Sequence, residues 1–91
     1  MSSRVSLHQL REELDLLESE AANNIAEASG QEALEKLRLS FLGKKGRLSK
    51  ILGVMRDLSG DERPLIGQRA NILKNQLTGL ISERSEHLKR E

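Results

Sequence analysis

The stretch "FLGKKGRLSKIL", residues 41–52, interrupts a chain whose apolar residues otherwise recur with helical spacing. Two glycines, Gly43 and Gly46, enclose two lysines, and aliphatic residues continue on both sides. Each glycine inside a helix costs about 1 kcal/mol relative to alanine. Gly43 also suits the position just after a helix, where a positive φ closes the last turn. The stretch therefore predicts helices over 31–42 and 47–58, separated by a kink or tight turn with Gly43 in the left-handed conformation.

Apolar residues on the N-terminal side of this break repeat at alternating spacings of three and four, which is typical of a helix that packs along one seam. Ser6 is a plausible N-cap, and Ser29 with Gly30 is a plausible stop. These signals predict a first helix over 6–28, with one polar residue in its seam. The predicted seam is Leu7, Leu10, Leu14, Leu17, Ala21, Asn24 and Ala28.

A turn with the sequence Ser-Gly-Asp-Glu-Arg-Pro precedes the last apolar repeat. Asp61 is the preferred N-cap because it places Pro64 in the first turn, where a missing N–H costs nothing. A capping box of Ser59 and Glu62 is the alternative, but it would put Pro64 about one turn inside the helix. The repeat then continues to Glu91 without a stop signal, which predicts that the chain is part of a longer protein. The predicted seam is Ile66, Ala70, Leu73, Leu77, Leu80, Arg84 and His87.

The sequence thus predicts an all-α fold in one domain over residues 1–91. We expect an antiparallel helical hairpin or coiled coil with a short extra helix, three or four helices in all, and helix one or two antiparallel to the C-terminal helix. The chain has no cysteine, which excludes disulfides and thiolate metal sites. The residues expected to be most buried are Leu14, Leu17, Leu37, Phe41, Leu48, Ile51, Leu73 and Leu77.

No apolar run approaches the roughly 18 residues of a membrane span. Acidic residues occupy the place where a signal peptide would have its apolar region. We therefore expect a cytoplasmic protein with no membrane partner.

Charge is unevenly distributed along the chain. Residues 1–35 carry two bases and eight acids, residues 36–56 carry seven bases and no acid, and residues 57–91 carry six of each. We call residues 36–56 the basic segment. Its bases either neutralise the acidic first helix or contact nucleic-acid phosphate. The candidate phosphate contacts are Lys44, Lys45, Arg47 and Lys50, with Arg38 and Arg56 as weaker candidates.

Four features limit the chemistry. Phe41 is the only aromatic residue, so stacking on single-stranded bases is not expected, and RNA would be bound by charge and shape. The Gly-Lys pair at 43–44 lacks the spacing of a phosphate-binding loop. His8 and His87 have no paired ligands at helical spacing, and the acids of residues 12–20 form a solvated helix face. The sequence predicts no catalytic residue, cofactor or metal site within the chain.

Residues 37–48, with the sequence LRLSFLGKKGRL, resemble the N-terminal domain of the bacterial phenylalanyl-tRNA synthetase α subunit. That family has a hydrophobic helix ending in an aromatic-Leu-Gly-Lys-Lys-Gly motif. The stretch at 62–64 (Glu-Arg-Pro), Gly67 and Asn71 match the family in order and approximate spacing. The first helix matches only in character. Phe41 stands where tyrosine is usual, and residues 59–61 replace the usual prolines and acids.

The resemblance implies the function. The full enzyme would be a class II aminoacyl-tRNA synthetase of two α and two β subunits, joining phenylalanine to its tRNA with ATP and Mg²⁺. Its catalytic domain would lie C-terminal to these residues. The N-terminal domain would be a helical coiled coil that binds tRNA(Phe), which gives the basic segment a phosphate-binding role.

Two alternatives stay open. A plain coiled-coil module would pair its seams with another protein, and a lack of RNA affinity at low salt would favour it. The helical arm of another synthetase, such as the seryl enzyme, also fits the architecture. The motif, rather than the architecture, favours the phenylalanine enzyme.

Overall fold

The computed structural model describes residues 6–90, and these residues form helices joined by short turns, with no strand among them. Helix α1 spans Leu7–Glu27 and α2 spans Gln31–Leu42. Helix α3 spans Arg47–Val54 and continues into a 3₁₀ turn at Met55–Asp57. Helix α4 spans Arg63–Lys89. The all-α prediction is confirmed, while the predicted last helical residue, Glu91, lies outside the described residues.

The helices pack side by side into a rod of 53 × 21 × 19 Å. Arg47 at the start of α3 pairs with Glu20, so the chain from α2 to α3 runs antiparallel to α1. Gln31 at the start of α2 bonds Ser85 near the end of α4, so α2 and α4 are also antiparallel. It follows that α1 and α4 are parallel. The predicted antiparallel partner of the C-terminal helix is therefore α2.

One apolar core runs along the rod, and it contains the predicted seams with local changes. Leu37 was expected to be buried but is only half-buried. Asn24 is exposed and Ile25 is buried in its place, because the seam of α1 steps by four after Ala21. The buried residues are Leu10, Leu14, Leu17, Ala21, Ile25, Ala28, Leu34, Phe41, Leu48, Ile51, Leu58, Ile66, Ala70, Leu73 and Leu77.

The last part of α4 departs from its predicted seam. Leu80 is 37% exposed, although the spacing placed it in the core. Leu80 lines an open groove opposite Ala22, Ile25 and Ala26 of α1, and the small alanine side chains cover only part of it. Arg84, also a seam position, instead donates two hydrogen bonds of 2.9 and 2.7 Å to the carbonyl of Ala28.

The two predicted N-caps have different outcomes. The Ser6 hydroxyl accepts a 3.0 Å hydrogen bond from the Gln9 N–H, as predicted for α1. The Asp61 cap is wrong, because α4 begins after Glu62 and no side chain caps it. Instead the Glu62 carboxylate accepts from the Ser59 N–H at 3.4 Å, which is one half of the rejected capping box. Pro64 still lies in the first turn of α4, so the helix loses no internal hydrogen bond there.

The glycine break has the predicted position but not the predicted conformation. Helix α2 ends at Leu42 and α3 begins at Arg47, as expected. However, Gly43 has φ −69° and ψ 171°, and no described glycine has a positive φ. A Cβ at Gly43 would lie 2.5 Å from the Leu39 carbonyl oxygen, and one at Gly46 would lie 2.9 Å from the Phe41 carbonyl carbon. Close backbone approach, and not a left-handed conformation, therefore requires glycine at both positions.

We expect Leu77→Ala to lower the free energy of unfolding by about 2–5 kcal/mol, because it would remove a fully buried side chain from the core. Leu39→Ala is the matched control, since Leu39 is 52% exposed. Urea denaturation followed by circular dichroism measures both. Equal effects of the two substitutions would contradict the assignment of the core.

We expect Gly43→Ala to destabilise the chain, because the added methyl group would collide with the Leu39 carbonyl. Gly53→Ala is the control. A Cβ at Gly53 meets nothing within 4 Å, and alanine should stabilise α3 by up to about 1 kcal/mol. Thermal melts of the two variants should therefore shift in opposite directions. A Gly43→Ala melting temperature at or above that of the unchanged chain would disprove the close approach.

Candidate nucleic-acid interface

Lys44 and Lys45 lie exposed on the turn between α2 and α3. The turn is closed at its base, where the Gly43 carbonyl accepts hydrogen bonds of 2.9 Å from the Gly46 N–H and from the Ser49 hydroxyl. Neither lysine forms an ion pair within residues 6–90. The turn thus presents two neighbouring, unpaired ammonium groups to solvent near the middle of the rod.

Arg47 has a different environment. It is the first residue of α3, its guanidinium pairs with the Glu20 carboxylate of α1, and the guanidinium carbon lies 5.4 Å from the centre of the Phe41 ring. Its side chain is 41% exposed, so part of the guanidinium still faces water. Arg47 therefore joins α1 to the start of α3, and an arriving phosphate would share it with Glu20.

Lys50 is exposed one turn further along α3. Together with Arg47 it lines a shallow groove between α1 and α3, to which α1 contributes Glu13 and Leu16. Lys50 has no ion pair among the described residues. It remains available to an anion, but it lies beside the acidic surface of α1.

Arg38 is held within its own helix. Its guanidinium forms a two-pronged contact with the Glu35 carboxylate, with a Nε–Oε1 distance of 3.0 Å. The hydrogen bond from Arg38 lowers the pKa of Glu35 below its ordinary value and raises the pKa of Arg38. The basic segment begins at residue 36, so its charge count left out Glu35, the partner of Arg38. Both side chains are exposed, so the pair contributes little stability.

Arg56 lies exposed in the 3₁₀ turn near one end of the rod. The structure therefore does not gather all six candidates into one cluster. Lys44 and Lys45 lie together on the turn, and Arg47 and Lys50 lie on the α1 side of α3. Arg38 and Arg56 lie apart from both pairs, and only the lysines and Arg56 are without an ion pair in the described part of the chain.

Sequence reasoning missed Arg69 as an inter-helix link. One of its nitrogens lies 3.1 Å from both the Asp15 and the Glu18 carboxylates of α1. The hydrogen bond to Asp15, followed by that to Glu18, raises the pKa of Arg69 above its ordinary value. The available signal was the pair of acids three residues apart, which lie on one face of a helix. That face was interpreted as solvated.

Neither a metal-ligand group nor a membrane span occurs among the described residues. Within 6–90, no three His, Asp or Glu side chains lie close enough to hold a metal ion. None of the helices described is long and apolar enough to cross a membrane.

The chain resembles known proteins over most of its length. Residues 29–91 match the model of the family described as the N-terminal domain of class II aminoacyl-tRNA synthetases. The chain belongs to this family. The match begins at the turn before α2, so it contains the whole basic segment and α4. The resemblance deduced from residues 37–48 is confirmed.

Relatives extend the similarity to α1. The chain is 65% identical over 89 residues to the phenylalanine–tRNA ligase α subunit of Prochlorococcus marinus strain NATL2A, which is 98% of this chain and 27% of the relative. It is 40% identical over 80 residues to the α subunit from Clostridium acetobutylicum, which is 88% of this chain and 24% of the relative. The chain therefore spans about a quarter of the length of these relatives. No solved structure matches it.

Proposed function

We propose that this chain is the tRNA-binding N-terminal arm of a phenylalanine–tRNA ligase α subunit. The observation that carries the proposal is the pair of exposed, unpaired lysines, Lys44 and Lys45, on a turn of a chain whose relatives are named tRNA ligases. Residues 1–91 act as one helical domain, and the catalytic domain follows it in the longer protein.

The longer protein attaches phenylalanine to its tRNA in two ATP-dependent steps, in the cytoplasm. It works with a β subunit in an assembly of two α and two β subunits. ATP and Mg²⁺ bind to the catalytic domain, and no residue of this chain is assigned to either. The arm contributes binding energy and orientation to the tRNA.

Binding at the arm is electrostatic. Each lysine that contacts a phosphate releases condensed counterions, so affinity falls as salt rises. Phe41 is only 4% exposed and cannot stack on a base, which leaves charge and shape as the means of recognition. Lys44 and Lys45 are the principal contacts. Lys50 and Arg47 contribute less to phosphate binding, because acids of α1 lie near them. Arg38 and Arg56 contribute least.

The principal alternative, a coiled-coil module that pairs its seams with another protein, is not favoured. Leu10, Leu14 and Leu17 of α1 are fully buried against the chain's own helices, as are Leu73 and Leu77 of α4. A seam already covered inside the monomer is not available to a partner without unfolding the bundle.

We expect alanine at Lys44, Lys45, Arg47 and Lys50 together to raise the KM for tRNA in the full-length enzyme. Formation of phenylalanyl-adenylate needs no tRNA and should stay unchanged, because lost uniform binding affects KM and not the chemical step. The log–log salt slope of tRNA affinity should fall by roughly 0.7–0.9 for each phosphate contact removed. Aminoacylation kinetics, pyrophosphate exchange and a salt titration measure these three quantities.

Two further variants keep this test interpretable. Lys44→Ala/Lys45→Ala removes no ion pair and leaves the Arg47–Glu20 link intact, so a loss of folding is not expected. Lys89→Ala/Arg90→Ala removes the same charge at the far end of α4. An unchanged KM and salt slope in the first double variant, or an equal change in both, would disprove the proposed contacts.

A further inference from the structure

The elements α1, the α2–α3 segment and α4 each pack against the other two, so three inter-element grooves run along the rod, and they differ in charge. Acids of α1 line two of them, with Glu13 beside Lys50 in one and Asp15 beside Arg69 in the other. The third groove lies between the α2–α3 segment and α4. In the sequence, residues 36–56 contain no acid, and residues 63–82 of α4 contain three bases and no acid. The middle of the third groove is therefore free of acidic residues.

We propose that an RNA sugar–phosphate backbone crosses this third groove at the level of the glycine turn, where Lys74 of α4 contacts phosphate beside Lys44 and Lys45. The inference rests on the proposed function and adds a second helix to the binding surface. Lys74 is exposed and forms no ion pair within residues 6–90. Nothing in the sequence analysis singled it out, because residues 57–91 as a whole are neutral.

Two contacts fix which face of α4 borders the groove. Gly67 lies beside Met55, since a Cβ on Gly67 would be 3.9 Å from the methionine sulfur. Ser85 exchanges hydrogen bonds of 3.0 and 2.8 Å with Gln31 of α2. Lys74 follows Gly67 by seven residues and precedes Ser85 by eleven, so the three lie on one stripe of an α-helix. Lys74 therefore borders the same groove.

The same contacts fix the level of Lys74 along the rod. The α2–α3 segment runs antiparallel to α4, from Met55 opposite Gly67 to Gln31 opposite Ser85. Lys74 lies about two-fifths of the way between the two contacts on α4, because α4 rises evenly by ~1.5 Å per residue. Two-fifths of the way from Met55 to Gln31, the facing α2–α3 segment reaches the 43–46 turn. Lys74 and the turn that carries Lys44 and Lys45 thus lie at about the same level of the rod, on the two elements that border the groove.

The opposite side of α4 supports this placement. Arg69 pairs with Asp15 and Glu18, so its flank of α4 faces α1. Lys74 is five residues further on, a rotation of roughly 140° on a helix of 3.6 residues per turn, which removes it from the acids of α1. Glu35 of α2 precedes the basic segment by one residue, and Arg38 already pairs with it. A phosphate in the groove meets lysines without a competing carboxylate.

The direct test is Lys74→Ala in the full-length enzyme, with binding of transcribed tRNA(Phe) followed by fluorescence anisotropy across salt concentrations. We expect the log–log salt slope to fall by roughly 0.7–0.9, as for the loss of one phosphate contact. Lys89→Ala is the matched control, because Lys89 lies on the same helix, already pairs with Glu86, and is fifteen residues away, about 22 Å along the helix. It should leave the slope unchanged.

A second pair of variants adds an acid instead of removing a base. Thr78→Glu places a carboxylate one turn beyond Lys74 on the groove stripe, whereas Gln76→Glu places it on the opposite flank. Both residues are exposed, so neither change should unfold the chain. We expect Thr78→Glu to weaken tRNA binding several-fold more than Gln76→Glu, with the difference vanishing at high salt.

The outcomes separate this inference from the proposed function. If Lys44→Ala/Lys45→Ala weakens binding but Lys74→Ala does not, the arm binds tRNA and the groove placement is wrong. If the double variant also has no effect, the proposed function itself fails. Poly-glutamate serves as a competing occupant. If Lys74→Ala weakens binding of poly-glutamate but not of tRNA, the groove takes an acidic protein segment and the RNA assignment is overturned.

Discussion

The Leu39 carbonyl oxygen leaves no room for a side chain at Gly43, and the rest of the structure depends on this close approach. It lets the chain leave α2 and restart at Arg47 within four residues. Phe41 and Leu48, seven residues apart, remain buried on either side of the break. The core therefore continues past the turn, while the lysine that would have occupied the seam, Lys44, is turned out to solvent. Without the break, a continuous helix would direct a charged residue toward the core.

The acids of α1 have a structural role that explains the availability of the lysines. Glu20 pairs with Arg47, and Asp15 and Glu18 pair with Arg69. These links fasten α1 to α3 and to α4 through arginine, whose planar group is suited to carboxylates. Intramolecular neutralisation and phosphate contact were treated as exclusive interpretations of the basic segment. Arg47 follows the first by pairing with α1, whereas Lys44, Lys45 and Lys50 form no ion pair among the described residues and remain open to the second.

Sequence patterns predicted much of the fold because they are local. The helix boundaries at Leu42 and Arg47 follow from the glycines, and the Ser6 cap follows from its side chain. The conformation of Gly43 could not be predicted locally, since the obstacle is a carbonyl four residues away. The Asp61 cap was predicted wrongly for a similar reason, because the turn before α4 depends on contacts between residues several positions apart. The turn before α4 is held by the Arg63 guanidinium, which bonds the carbonyls of Leu58 at 3.2 Å and Arg56 at 3.1 Å.

The candidate site was predictable only in part. The charge of residues 36–56 and the family motif indicated Lys44 and Lys45, and the structure places both in solvent. The partners of Arg38 and Arg47 depend on helix geometry and on a second helix. The position of Lys74 depends on how α4 packs against the α2–α3 segment. Its stripe of α4 faces that segment because Gly67 contacts Met55 and Ser85 bonds Gln31. Charge summed over a long segment concealed it.

The central claim is that the glycine turn presents unpaired lysines to RNA at the level of Lys74 of α4. The most direct measurement is the perturbation of backbone amide NMR signals of the ¹⁵N-labelled chain on titration with tRNA(Phe) at low salt. The account predicts that the largest changes fall in residues 43–46 and around Lys74, with smaller changes in the acidic part of α1 from Glu12 to Glu20. Changes centred on that part of α1, or none at the turn while tRNA is bound, would contradict it.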